Sequence, residues 1–230
     1  MRHAAEAIKC ARDDGVKVGL IDIPLPAIGA TELDDWPGGI KQKYAVLLPI
    51  LQETMSALGF PPSAATKREF LFSPETGESG EDDAVGIWSH SGVYLCSFPT
   101  PEYIPSIQIY ERWADAKSIF NVVNQQFFLD PMSKAESKTF LKEATVVYRL
   151  ESLNMKGPGA LPVRGVLYRQ YPYRFKAARR LDGGGYVVLK TYDTLPTRDE
   201  LETIFFEDSK ERDRSLTFLD RLKKQIPRLG

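Results

Sequence analysis

The sequence predicts an α/β protein: a Rossmann-like mixed sheet with helices on both faces and an antiparallel C-terminal extension. Three observations predict it. The apolar run Val18-Gly19-Leu20-Ile21-Asp22-Ile23, closed by Pro24, does not alternate, which marks a strand covered on both faces in a parallel sheet. A long stretch at helical spacing follows it, from Ile40 to Leu58. Beyond residue 145 the chain turns to alternating, β-branched runs with glycine-rich connections. The expected organisation is a single α/β domain over 1–230, with a β/α front half over about 1–130 and a β-meander with C-terminal helices over about 131–230.

Each element has its own signal. Residues 3–14 read as a helix, because Ala4, Ala7, Ile8 and Ala11 share one face and Gly15 ends it. Pro37 suits the first turn of the next helix, where a missing N–H costs nothing. There Ile40, Tyr44, Leu47, Leu48, Leu51, Met55 and Leu58 form the apolar stripe. Pro49 interrupts it and leaves the Ala45 carbonyl without its usual donor, and Gly59 stops it. Residues 69–72 read as a short strand, and the acidic, glycine-rich 74–83 as a solvated loop. Strands are expected at 84–88 and 93–98, joined by Ser89-His90-Ser91-Gly92. A helix follows over 101–116 with Ile104, Ile107 and Trp113 toward the core, then a strand at 118–123 and a short helical turn at 135–142.

The last third gives strands at 145–150, 163–169, 174–180 and 186–191, with Asp182-Gly183-Gly184-Gly185 as a hairpin signal. Thr197 and Glu200 form a capping box that opens a helix burying Leu201, Ile204 and Phe205. A separate last helix is expected over about 209–226, with Leu216, Leu219 and Leu222 on one face.

Composition narrows the function classes. Hydrophobic residues make up 43% and charged residues 27%, an ordinary globular balance. With 30 basic and 31 acidic residues the net charge is −1, so no global field attracts DNA, RNA or anionic lipid. Two isolated cysteines, Cys10 and Cys96, suggest thiols in a reducing compartment. With only His3 and His90 beside them, no metal site is expected. No apolar run approaches the roughly 20 residues that cross a bilayer, and the first residues lack the apolar core of a secretory signal.

Candidate chemistry is sparse. No phosphate-cradling glycine motif stands between a strand and a helix, and Gly157-Pro158-Gly159 and Gly183-Gly184-Gly185 read as turns. The segment Thr31-Glu32-Leu33-Asp34-Asp35-Trp36-Pro37-Gly38-Gly39 lies between strand and helix, where α/β folds place ligands. Gly38 and Gly39 open a helix whose N–H groups suit an anion, yet Glu32, Asp34 and Asp35 would repel one. The competing reading makes Asp34 or Asp35 the helix cap and the glycines a tight turn. Mg²⁺ on this acidic cluster is disfavoured, since adjacent side chains seldom face one site. Trp36 is either a core plug or a partner anchor. His90, between two serines, lacks a nucleophile-elbow motif and reads as a loop residue. No catalytic residue and no cofactor is assigned.

A basic, aromatic stretch runs through Arg164, Tyr168, Arg169, Tyr171, Tyr173, Arg174, Phe175, Lys176, Arg179 and Arg180. On strands, alternation would gather the charges on one face. That face would suit RNA or an anionic membrane, or be the solvated side of an amphipathic hairpin; a near-neutral chain favours the hairpin.

The blocks Ile23-Pro24-Leu25-Pro26 and Glu32-Leu33-Asp34-Asp35-Trp36-Pro37-Gly38-Gly39-Ile40 resemble the front motif of a plastid and cyanobacterial family defined as a domain of unknown function. That family includes the chloroplast factor called low photosystem II accumulation, and a similar domain is fused to a chloroplast adenylate kinase. Residues 118–126, which end in Asn124-Gln125-Gln126, resemble its strand and Asn-containing turn; the usual Asn-Pro stands here as Asn124-Gln125. Residues 147–150, 165–172 and 196–201 resemble its later blocks. The resemblance implies a non-enzymatic chloroplast accessory factor, stromal or at the thylakoid periphery, after removal of a transit peptide. Its implied partners are photosynthetic membrane-protein subunits or assembly factors, and peripheral membrane association is compatible with it. The family carries no catalytic residues over. A nucleotide- or phosphometabolite-binding enzyme using Gly38-Gly39 is the alternative, and an RNA-binding module the second.

Overall fold

A computed structural model describes residues 1–25, 39–66, 69–70, 85–113, 117–125, 134–155 and 163–215. By its internal contacts the chain divides into two compact units, Met1–Leu150 with Arg169–Tyr173, and Glu151–Tyr168 with Arg174–Gly230. The division falls later in the chain than the change of character read near residue 131.

The first unit opens with α1 (Arg2–Asp13), whose Ala4, Ala5, Ala7, Ile8 and Ala11 are buried. β1 (Val18–Asp22) follows, then α2 (Gly39–Leu58) with Pro49 inside it, and α3 (Pro62–Thr66). β2 (Glu69–Phe70), β3 (Gly86–His90) and β4 (Val93–Ser97) are antiparallel neighbours. A 3₁₀ turn (Pro101–Tyr103) leads into α4 (Ile104–Trp113), then come β5 (Ile119–Val123) and α5 (Lys134–Glu143). β6 (Thr145–Met155) begins in this unit. The strands lie in the order β2-β3-β4-β5-β1-β6, and β4, β5, β1 and β6 are mutually parallel.

Both faces of this parallel layer are covered, as the unbroken apolar run of β1 requires. Val18, Leu20, Phe120 and Val122 pack with Tyr103, Ile104 and Ile107 of the α4 region and Phe140 of α5. Alternation turns Gly19, Ile21, Asn121 and Val123 to the other face, where α1 packs on β1 and β5 and α2 packs on α1.

The second unit holds the end of β6, then β7 (Val163–Gln170), β8 (Phe175–Arg180), β9 (Tyr186–Tyr192) and α6 (Arg198–Ser215). β7, β8 and β9 are antiparallel in sequence order. The α/β class, with a mixed sheet and an antiparallel C-terminal extension, therefore holds.

Several element readings need correction. Ser89 and His90 belong to β3, and the turn is the pair Ser91-Gly92, both at positive φ (48° and 76°). That is a two-residue hairpin whose twist matches the strands. β6 runs to Met155, five residues past the expected end, because Leu153 and Met155 alternate inward while Ser152 and Asn154 face out. The capping-box helix does not stop before 209: α6 is continuous to Ser215, since no glycine or proline breaks it. The rest of the expected last helix, and Trp113's side chain, lie outside the described residues.

Candidate functional site

The parallel strands of the first unit end side by side, and their carboxyl edge is where folds of this kind bind ligands. Asp22 closes β1 and pairs with Arg149 of β6, Nη1 to Oδ2 at 3.1 Å. One residue on, Ile23 is held by Asn124. The Asn124 Oδ1 accepts the Ile23 N–H at 2.7 Å, and Nδ2 donates to the Ile23 carbonyl at 3.0 Å. Asn124 takes φ 50°, and its own N–H donates to the Ile21 carbonyl at 2.8 Å. Asn tolerates this left-handed conformation better than other side chains do. Just past the end of the neighbouring β4, Phe98 is also left-handed, at φ 47°, and its N–H donates to the Val123 carbonyl at 2.9 Å. A buried aromatic residue in that region is strained and stays there only because its surroundings fix it.

The edge is therefore a fixed piece of main chain. Its acid is neutralised by Arg149, and the Asn124 amide is committed to Ile23. Gln125 is half-buried and already engaged in a polar or ring contact. Sequence reading singled out Asn124 and Gln125, and the geometry places them at the end of β5 beside the outgoing end of β1. Asp34, Asp35, Trp36, Pro37 and Gly38 lie outside the described residues. Gly39 is exposed, opens α2 and has φ 62°, a value that suits glycine.

His90 sits at the end of β3 with its ring against Phe60, centroids 5.3 Å apart. Among the described residues no three His, Cys, Asp or Glu side chains cluster to hold a metal ion. Sequence reading missed Asn121, a fully buried amide in the middle of the central layer. Its Nδ2 donates to the Tyr94 carbonyl at 3.1 Å, while Oδ1 has no hydrogen-bond partner. It fits because Gly19, its register partner, has no side chain: a Cβ there would stand 2.5 Å from Oδ1. A glycine inside an otherwise largely apolar strand was the available signal.

The basic stretch is divided by the fold. Arg169 falls in the first unit, half-buried, where burial lowers its guanidinium from the ordinary value and Tyr171 partly offsets this. The other five cations lie in the second unit. Arg174 pairs with Asp193 at 2.6 Å. Arg179 shares a sheet face with Gly165 and Ala177, on the side where Phe205 of α6 packs. Its Nε lies 2.9 Å from Asp208 of α6, a close charge contact without hydrogen-bond alignment.

Arg164, Lys176 and Arg180 occupy the opposite face. The register puts Tyr168 beside Lys176, Val166 beside Ala178 and Tyr186 beside Arg180, and Arg164 is next along the same row. All three cations are exposed, and none has an ion pair or hydrogen bond among the described residues. The register ends at Gly165 and Arg179, so Arg164 and Arg180 follow at the same end of the two strands, a placing of like charges that costs stability.

Tyr186 and Val188 add exposed apolar side chains to this face. Among the described residues the exposed large hydrophobics are Tyr173, Leu181, Tyr186, Val187, Val188 and Leu195, all within one 23-residue stretch.

Fold and sites together define an α/β protein whose parallel layer is tightly fixed and whose antiparallel unit presents a basic and apolar surface. The chain belongs to the family described as domain of unknown function DUF1995, whose model matches residues 1–203. No curated protein and no solved structure matches it.

Proposed function

We propose that this protein is a non-enzymatic chloroplast accessory factor that aids assembly of photosynthetic complexes, photosystem II in particular, by binding their protein subunits. It works in the stroma or at the thylakoid periphery. The supporting observation is the run of exposed apolar side chains Tyr186, Val187 and Val188 on β9, with Tyr186 54% and Val188 51% exposed. Scattered exposed apolar residues are normal, but a contiguous set along one strand is the mark of a protein-binding surface. The front-motif resemblance supplies the photosynthetic setting, and family membership is consistent with it.

The test is recovery of the affinity-tagged protein from solubilised thylakoids and stroma. Identified photosystem subunits should co-purify with it, and photosystem II should accumulate to a lower level in a line lacking it. A line with normal accumulation, together with no photosynthetic protein recovered, would sink the proposal.

A further inference from the structure

The outer edge of β9 has a geometry and a charge that select one kind of partner. Among the described residues β9 has β8 as its single neighbour. The Leu181 N–H donates to the Gly185 carbonyl at 3.0 Å at the base of the hairpin. Antiparallel pairs alternate between facing and outward main-chain groups, so the next pair, Arg180 and Tyr186, turns its groups outward. The pair Ala178 and Val188 repeats this two residues on. Tyr186 and Val188 therefore offer their N–H and C=O groups to the side away from β8. Their side chains lie on the face that carries Arg164, Lys176 and Arg180. At Leu189 the register shifts, because β9 carries one extra residue there, and the usable edge ends.

We infer that an extended acidic segment of a partner protein adds as a strand to β9 at Tyr186–Val188. Its apolar side chains would meet Tyr186 and Val188, and carboxylates on the same face would be drawn to the three cations. The inference rests on the protein-binding reading above and names the chemistry of the partner. Charge complementarity selects an acidic partner: among the described residues that the register places on this face, Lys176 and Arg180, with Arg164 next along the row, are cations and none is an acid. The open main-chain edge selects a polypeptide over a lipid surface or RNA, because only a strand satisfies alternating donors and acceptors.

The probe is a fluorescently labelled ten-residue peptide with Glu and Val in turn at every second position and Thr between them, so that Glu and Val share one face of the added strand. The controls are its Lys/Val counterpart, an acidic peptide with Pro at alternate positions, vesicles containing phosphatidylglycerol, and a single-stranded RNA oligomer. The Glu/Val peptide should bind the full chain with an affinity that falls as salt rises. The triple variant Arg164→Gln, Lys176→Gln, Arg180→Gln should weaken it about tenfold, as loss of three exposed charge pairs implies. Val188→Pro should abolish binding and leave the thermal midpoint unchanged, since proline is tolerated where the N–H faces outward at an edge. The proline-containing peptide removes donors from the other partner and needs no change in the protein. Equal binding by the Lys/Val or the proline peptide would overturn the inference, as would vesicles or RNA displacing the Glu/Val peptide. If photosystem subunits co-purify equally with the wild type and the triple variant, the strand-addition site is wrong while the accessory-factor reading stands. If the wild type recovers none, it is that reading which fails.

Discussion

Asn124 grips Ile23 by both of its main-chain groups, accepting from its N–H at 2.7 Å and donating to its carbonyl at 3.0 Å. A side chain here does what a neighbouring strand would do, and it fixes the direction in which the chain leaves β1. Asn124→Ala removes both bonds and keeps an unfavourable φ of 50°. It should lower stability by about 3 kcal/mol, from two hydrogen bonds at about 1 kcal/mol each and about 1 kcal/mol of backbone strain. Asn124→Gly loses the bonds yet accepts the conformation, so it should cost less than the alanine variant. Urea unfolding of the three proteins decides, and an alanine variant as stable as wild type would refute the role.

Gly19 and Asn121 form a second matched pair. A methyl group at position 19 would meet Asn121 Oδ1 at 2.5 Å and Val147 Cγ2 at 2.8 Å. Gly19→Ala should therefore destabilise by about 1–3 kcal/mol through overpacking. Adding Asn121→Ser, which withdraws the obstructing amide, should recover part of that loss. A purely additive double variant would show that the two sites do not share this space.

These two pairs show where sequence reading stops. β1 was legible because burial on both faces leaves an unbroken apolar run, and the hairpin at Gly183–Gly185 because turn chemistry is local. The partner of Asn121 is 102 positions away in the chain, and no periodicity reveals it. The basic stretch was legible as composition, but its division was not. Asp208 takes Arg179 to the helix-covered face and Asp193 takes Arg174, and both depend on strand register. Polar residues in β6 and α6 hid the true ends of those elements, because a half-exposed strand or a solvated helix turn reads like a loop.

The start of α6 carries a pH dependence. The Glu200 carboxylate accepts the Thr197 N–H at 2.7 Å and the Thr197 hydroxyl at 3.0 Å. The Thr197 N–H, followed by its hydroxyl, holds Glu200 below its ordinary value of 4.5. The stabilisation is thus complete above pH 4.5 and is lost as pH falls through the lowered value. Glu200→Gln should be less stable than wild type at neutral pH, and the gap should close in acid. Thermal midpoints of both proteins across pH 3–7 test this, and a gap that widens in acid would contradict it.

The two thiols should differ in reactivity. Cys96 is buried in the core of the first unit, and burial pushes its thiol well up from the ordinary range. Cys10 is exposed on α1. A thiol reagent should modify one equivalent in the native protein and two after unfolding, because the thiolate is the reactive form. Two equivalents at native pH would mean that β4 opens readily.

The residues Arg169–Tyr173 belong to the first unit although both flanking segments belong to the second. Gln170 donates to Glu6 at 3.1 Å and the Tyr171 hydroxyl to Asp14 at 3.0 Å, contacts spanning 164 and 157 positions. During synthesis α1 precedes these partners by more than 150 residues. Contacts of such long reach slow folding. A chain halted before residue 169 therefore holds a first unit whose α1 has its apolar packing on β1, β5 and α2 but lacks these two late polar contacts.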